Sequence, residues 1–363
     1  MRIIFDGRSL RLYGLGGPGF KGGTEQMVQR IAHGLAERGH TVHVVTPDLT
    51  REEQRGPAEW WWGPENFPRE ADAVVLVQGM QGLEADFQAD LLILATTQVN
   101  PYCGPNGEWA QGVDAFPVLS QHQLNLMCAH VPTIERRRAF ITGLGVDASE
   151  LPLGVPKVPG RLLYSSEPAR GLWHLLDVFE HVRRAESGAS LHITYDFDRQ
   201  FEYHRWTANA VSEALWEAKA RIEATPGIVS LGALSREEVR REQAEAEIFA
   251  YPCDPVTAGS ELFCLAAMEA AAAGAALVLS DREVLPELYG DVATILPLSG
   301  TFMPAQERRF DAQDWAEVIV ELMQDGEKRE AMARQGRELA ARHSWDAVID
   351  RWERMLEEAG HGR

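Results

Sequence analysis

Two Rossmann-like α/β domains are predicted from the amino-acid sequence, and three observations carry that prediction. The chain has 363 residues, too many for one ordinary core and about right for two domains of roughly 150 to 180 residues each. Apolar runs of strand length alternate with segments of helical period through both halves, as in parallel sheets covered on both faces. Between the halves, residues 151–160 read Leu-Pro-Leu-Gly-Val-Pro-Lys-Val-Pro-Gly, a stretch whose prolines and glycines predict a linker.

The elements follow in order. Ile3-Ile4-Phe5 is a short buried strand, and the glycine-dense loop 14–23 comes next. Thr24 is placed as an N-cap, with Met27, Val28, Ile31, Ala32 and Leu35 at helical spacing and Gly39 closing the helix. Strands are expected at 41–46, 73–77, 91–95 and 115–119. The second half repeats the alternation, with strands at 161–164, 191–195, 228–231, 248–251 and 275–279. Amphipathic helices over about 312–323 and 344–358 end the chain. The expected domains are 1–155, completed by 344–363, and 156–343.

Composition narrows the function classes. The net charge of −19 argues against a nucleic-acid partner, because polyphosphate would be repelled. Arg136-Arg137-Arg138 is the local exception and reads as a solvated helix face rather than a membrane contact. No run of about 20 apolar residues is present, and the apolar start is too brief for a signal peptide. Cys103, Cys128, Cys253 and Cys264 form no C-x-x-C pair, which suits a reducing cytoplasm and makes a zinc site unexpected.

The strongest chemical signal is the segment 260–269, Ser-Glu-Leu-Phe-Cys-Leu-Ala-Ala-Met-Glu, followed by Gly274 and an apolar strand. In one ideal helix its two glutamates would lie about 12 Å and about 80° apart, not on one face. Glu261 is therefore placed in a loop and Glu269 two turns inside the helix. Free N–H groups at the helix start between them suit a diphosphate. A carboxylate on either side suits the hydroxyls of two sugars, which is the outline of a nucleotide sugar. Glu269 lies among Leu265, Ala266, Ala267, Met268 and a run of alanines, where a carboxylate without a partner would cost several kcal/mol.

With Gly22-Gly23-Thr24-Glu25, Arg38-Gly39-His40-Thr41-Val42 and Ser344-Trp345, this E-x7-E segment resembles the family 4 retaining glycosyltransferases of the GT-B fold over nearly the whole chain. The resemblance implies that Glu269 binds the donor ribose and Glu261 the transferred sugar. It places Gly22 and Gly23 near the donor phosphates, Phe263, Cys264 and Leu265 at the donor, and the donor in a cleft between the domains. The N-terminal domain is then the acceptor side and 156–343 the donor side. Arg170-Gly171 matches the Lys-Gly end of a phosphate-binding motif whose earlier Arg is replaced by Ser165 or Ser166. Phe263-Cys264 stands where Phe-Gly is common. The strand end Thr96-Thr97-Gln98-Val99-Asn100 lacks the usual histidine, and Gln98 is its candidate replacement.

The implied activity is metal-independent transfer of a sugar, expected to be a hexose, from a nucleoside-diphosphate sugar to a sugar, lipid or small-molecule hydroxyl. The anomeric configuration is retained, no cofactor is needed, and Glu261 and Arg170 are the candidate catalytic groups. Two other readings stand beside it: a GT-B epimerase or phosphorylase, and a non-catalytic sugar-nucleotide-binding protein. Gly14-Leu15-Gly16-Gly17-Pro18-Gly19 spells a dinucleotide fingerprint, but eight residues past the strand and with Pro18 inside it. Asp196-Phe197-Asp198 spells a metal-binding pattern in what reads as a polar loop. Trp60-Trp61-Trp62 reads as a loop as well.

Overall fold

The computed structural model describes residues 1–8, 23–46, 56–62, 67–79, 87–99, 107–152, 154–197, 210–254, 260–298 and 310–361. These form two compact units, one of 1–145 with 343–363 and one of 146–342. Gly14 to Gly19, Gly22, Asn100 and Asp198 lie outside the described residues.

In the first unit, β1 (Arg2–Asp6), β2 (Thr41–Thr46), β3 (Glu59–Trp62), β4 (Glu70–Val77) and β5 (Gln88–Ala95) form one parallel sheet in the order β3-β2-β1-β4-β5. A second parallel pair, β6 (Phe116–Val118) and β7 (Ala139–Ile141), is bridged to it through Ile93 and Ala115. Helix α1 (Gly23–Glu37) buries Met27, Val28, Ile31, Ala32 and Leu35, the stripe expected from its period. Gly39 follows it at φ +92°, the left-handed turn that glycine permits.

Strand β3 is a correction to the sequence reading, which treated the tryptophan run as loop. A parallel edge strand followed by Gly63-Pro64 shows no alternation to betray it. Trp60 Nε1 donates to His33 Nε2 and Trp61 Nε1 to His43 Nδ1, both at 3.2 Å, so the indoles are held by packing partners within the unit. The three arginines are unburied, as a solvated face requires, though not on an α-helix. They form a 3-10 turn after α2 (Gln121–His130), where Arg138 caps the carbonyls of Gln111 and Val113 and Arg136 reaches Asn125.

The second unit orders β8 (Val158–Tyr164), β9 (Ser190–Ile193), β10 (Ile228–Ser230), β11 (Ala246–Tyr251), β12 (Ala276–Ser280) and β13 (Thr294–Leu296) as β10-β9-β8-β11-β12-β13. All neighbours are parallel. This is the doubly wound order, and it reverses between β8 and β11. Every residue of β11 and β12 is buried, which accounts for the apolar runs 248–251 and 276–279 within them. The helices between strands are α3 (Leu172–Ala185), α4 (Ala210–Ala224), α5 (Arg236–Glu245), α6 (Leu265–Ala272) and α7 (Leu285–Tyr289). Then come α8 (Ala312–Gln324) and α9 (Gly326–Arg342).

The contact boundary between the units falls at 145/146, ahead of the proline-rich stretch. Val146 is buried and Glu150 pairs with Arg240 on α5, so the segment before the prolines already packs with the second unit. Strand β8 then starts at Val158, inside that stretch. Helix α10 (Trp345–His361) packs with the first unit: Trp352 lies 5.9 Å from Phe5, and Arg38 pairs with Asp350 and Glu353.

Lys157 enters β8 with its ammonium on the carbonyls of Ala273 (2.9 Å) and Gln243 (3.4 Å), near the C-terminal ends of α6 and α5. Burial, helped by Arg337 and opposed by Glu247, lowers its pKa to about 8 from 10.5. The folded value is the lower one, so between those pH values the unfolded chain binds the extra proton and stability rises with pH. Relative to Lys157→Met, the parent protein should gain up to about 3 kcal/mol across that window. Denaturant unfolding at several pH values checks this, and a pH-independent difference would contradict it.

Candidate active site

The carboxyl ends of β8 and β11 flank the point where strand order reverses, the place where open parallel sheets bind ligands. From β8 the chain runs through Ser165 and Ser166 into the 3-10 turn Pro168–Arg170, and Gly171 at φ +116° starts α3. From β11 it leaves through Pro252, Cys253 and Asp254, and it is described again from Ser260 into α6.

These two paths bring Arg170 and Glu261 together. Arg170 Nη1 lies 3.3 Å from Glu261 Oε2, donates to the Ser260 carbonyl at 3.4 Å, and Nε is 3.5 Å from Glu167. Burial disfavours the guanidinium charge, but Glu261 and Glu167 more than offset it and the pKa is raised. Glu261 Oε2 also accepts from the Tyr251 hydroxyl at 3.0 Å, and Oε1 accepts from the Cys264 N–H at 2.9 Å. A carboxylate has about four lone-pair sites, so Glu261, 13% exposed, keeps about one for a further donor. Burial, and then nearby charge, holds the Tyr251 pKa high, so its hydroxyl stays a donor.

Glu269 lies on the fifth residue of α6, just past one turn inside rather than two. Its Oε1 accepts from Arg236 at 3.0 Å and Oε2 from Gln243 Nε2 at 2.9 Å. The partner that a carboxylate among these apolar residues requires is thus supplied within the unit, by two side chains of α5. Two acceptor sites remain on Glu269. The first two amides of α6, those of Leu265 and Ala266, donate to nothing among the described residues. They carry the partial positive charge of the helix start.

Cys264 takes φ +60°, a left-handed conformation that disfavours side chains. That is the physical content of the Phe-Gly pattern from which the chain departs. The conformation is held from both sides, by Glu261 on the Cys264 N–H and by the buried Tyr289 hydroxyl on the carbonyls of Phe263 (2.9 Å) and Cys264 (2.8 Å). Relief of strain offsets the lost sulfur contacts in Cys264→Gly, which should change unfolding free energy by less than about 1 kcal/mol, while Cys264→Val loses about 2 kcal/mol. Urea unfolding of both variants is the check; equal costs would refute the strain. Burial first and Glu261 second push the Cys253 and Cys264 thiols up, so neither is a thiolate nucleophile at neutral pH.

The remaining candidates divide. Ser166 Oγ donates to the Tyr251 hydroxyl at 3.2 Å, whereas Ser165 Oγ is buried with no partner among the described residues. Phe263 is buried, so only its backbone serves the loop. In the first unit Gly23 begins α1, and a Cβ there would meet nothing within 4 Å. Thr24, expected as an N-cap, is the second residue of α1, and its hydroxyl meets Thr97 (2.8 Å) and Gln78 (3.0 Å) instead. Gln98 contributes its carbonyl to Gln123 and its N–H to Thr96, while its side-chain amide bonds to nothing among the described residues.

The sequence reading missed Tyr251, Asp254 and Gln78. Gln78 follows β4 at φ +68° and its amide ties Thr24, Thr96 and Thr97. Its only signal is a polar residue closing an apolar strand. Among the described residues, no group of His, Cys, Asp and Glu is arranged to hold a metal ion, and no helix is long and apolar enough to cross a membrane.

Residues 214–339 match the family described as glycosyl transferases group 1, a span that contains both glutamates but not Arg170. The chain is similar in structure to a glycosyltransferase from Rickettsia africae, with 12% identity, TM-score 0.70, and 99% of this chain and 98% of that one covered. It is similar to sucrose-phosphate synthase from Thermosynechococcus elongatus, with 13% identity, TM-score 0.69 and 100% of both chains covered. It is also similar to Anabaena HepE, solved with UDP and glucose, with 14% identity, TM-score 0.68, and 99% and 100% covered. The fold is thus two Rossmann-like domains with parallel sheets, matching GT-B glycosyltransferases. No curated protein sequence matches.

Proposed function

We propose that the chain is a retaining, metal-independent glycosyltransferase of the family 4 type, taking a hexose from a nucleoside-diphosphate sugar to a hydroxyl acceptor. One observation carries the reading: the amides of Leu265 and Ala266, which donate to nothing among the described residues, open α6 beside a carboxylate that is itself paired with Arg170. Amides and guanidinium together suit a diphosphate, whose oxygens accept from both. The family match over 214–339 and the UDP and glucose held by HepE favour the same donor class.

In this reading Arg170 and the α6 amides stabilise the charge that develops on the leaving phosphate. Glu269 offers its two remaining acceptor sites to the ribose diol, and Glu261 its one to a hydroxyl of the transferred sugar. Ser166 and Tyr251 hold Glu261 in place, and the phosphate itself helps to deprotonate the acceptor on the same face, which retains configuration. No cofactor enters. The acceptor is a sugar, lipid or small molecule met on the 1–155 side, where Gln98 is a candidate contact.

The test is a donor panel beginning with UDP-glucose, scored by release of the nucleoside diphosphate and by the anomeric configuration of the product. Turnover should be unchanged after treatment with a chelator. An inverted product would overturn retention, chelator-sensitive turnover would overturn metal independence, and failure to bind any nucleoside diphosphate would overturn the site.

A further inference from the structure

The loop that leaves β11 grips the Arg170 turn at three points. The Asp254 N–H donates to the Arg170 carbonyl at 3.1 Å. Gly171 sits so close that a Cβ there would come within 2.0 Å of the Pro252 carbonyl oxygen. The third point is a side-chain pair, His174 Nε2 to Asp254 Oδ2 at 3.0 Å, with Asp254 only 4% exposed. His174 is the third residue of α3, and its own N–H returns to the Gly171 carbonyl at 3.1 Å. The Phe310 ring, 4.6 Å away, covers the imidazole.

The turn that ends in Arg170 leads directly into α3, which carries His174, and its last carbonyl is held by the Asp254 N–H, so both partners of the pair are tied to it. A buried carboxylate is costly unless it is paired, and a pair of apolar residues would fill the space at no lower stability. What the hydrogen-bonded pair adds is direction, because its bond length and angle fix where the first turn of α3 sits against the β11 loop. We infer that His174 and Asp254 are a positioning pair for the Arg170 guanidinium, setting its reach toward the donor diphosphate. The inference rests on the proposed donor site and adds two residues that touch no substrate.

The experiment is calorimetric titration of the full chain with UDP, GDP and ADP, followed with whichever binds most tightly. His174→Ala should raise Kd about tenfold, the size of one lost charge-assisted hydrogen bond, and His174→Gln, which keeps an N–H at similar reach, should stay within about threefold. Val182→Ala, at the far end of α3, tests for a merely structural effect: it should lower the melting temperature and leave Kd unchanged. An unchanged Kd in His174→Ala, or a glutamine variant as weak as the alanine one, overturns the inference. If His174→Ala does not fold, Asp254→Asn should raise Kd about threefold, and no rise there overturns it equally. Failure of the parent protein to bind any of the three removes the donor site as well, and so is distinguishable.

Discussion

Arg170→Ala should weaken nucleoside-diphosphate binding on the order of a hundredfold, because truncating one partner of a partly buried charge pair costs about 2 to 5 kcal/mol. Arg170→Lys should fall between, since an ammonium keeps the charge and loses the fork that grips two oxygens. The informative companion is Glu261→Gln. In the structure Glu261 Oε2 holds the same guanidinium at 3.3 Å, so it competes with a phosphate for it. Removing the negative charge should leave the affinity for the bare diphosphate unchanged or tighter, while the amide oxygen still accepts from the Cys264 N–H. Transfer from the sugar nucleotide should nonetheless drop. Calorimetry for the diphosphate and a turnover assay for the donor measure the two sides separately. If Arg170→Ala and Glu261→Gln weaken the diphosphate equally, the site does not divide its work between phosphate and sugar as proposed.

The division between what the sequence discloses and what it hides follows from the range of the interactions. Spacing within one element is local, so the α1 stripe and the strand alternation of both units could be read directly. The E-x7-E segment could be read because a carboxylate among alanines is anomalous without any knowledge of its neighbours. Those neighbours could not be read. Gln243 and Arg236, which hold Glu269, are 26 and 33 positions away along the chain. Tyr251 is 10 positions from Glu261, and it looks like any aromatic ending a buried strand.

Backbone strain is equally silent. Gln78, Cys264 and Glu283 take positive φ among the described residues, and none is a glycine or asparagine that would announce it. All three follow the carboxyl ends of strands, on the side where such sheets bind ligands. Thr24 shows a related limit. Its type suits an N-cap, but a hydroxyl can serve a neighbouring strand end instead, and only the tertiary arrangement decides.

Gly171→Ala should destabilise the second unit by more than about 3 kcal/mol, since strain at positive φ and overpacking each cost about 1 to 3. The strain comes from φ +116° and the overpacking from the Pro252 carbonyl oxygen, 2.0 Å from the added Cβ. That oxygen belongs to backbone and has no rotamer to escape into. The Asp254 N–H fastens the same loop to Arg170, so moving the loop away breaks that bond and displaces the guanidinium. Gly160 isolates the steric part. It also has positive φ, +72°, but its Cβ would meet nothing nearer than Ala189 Cα at 3.4 Å. Gly160→Ala should therefore cost only about 1 to 2 kcal/mol. Urea unfolding of both variants decides, and diphosphate titration adds a second reading. Gly160→Ala should bind as the parent does, while Gly171→Ala, even where still folded, should not. Equal unfolding costs would mean that the loop yields freely, and that the Arg170 turn is not held in the way that its place opposite Glu261 requires.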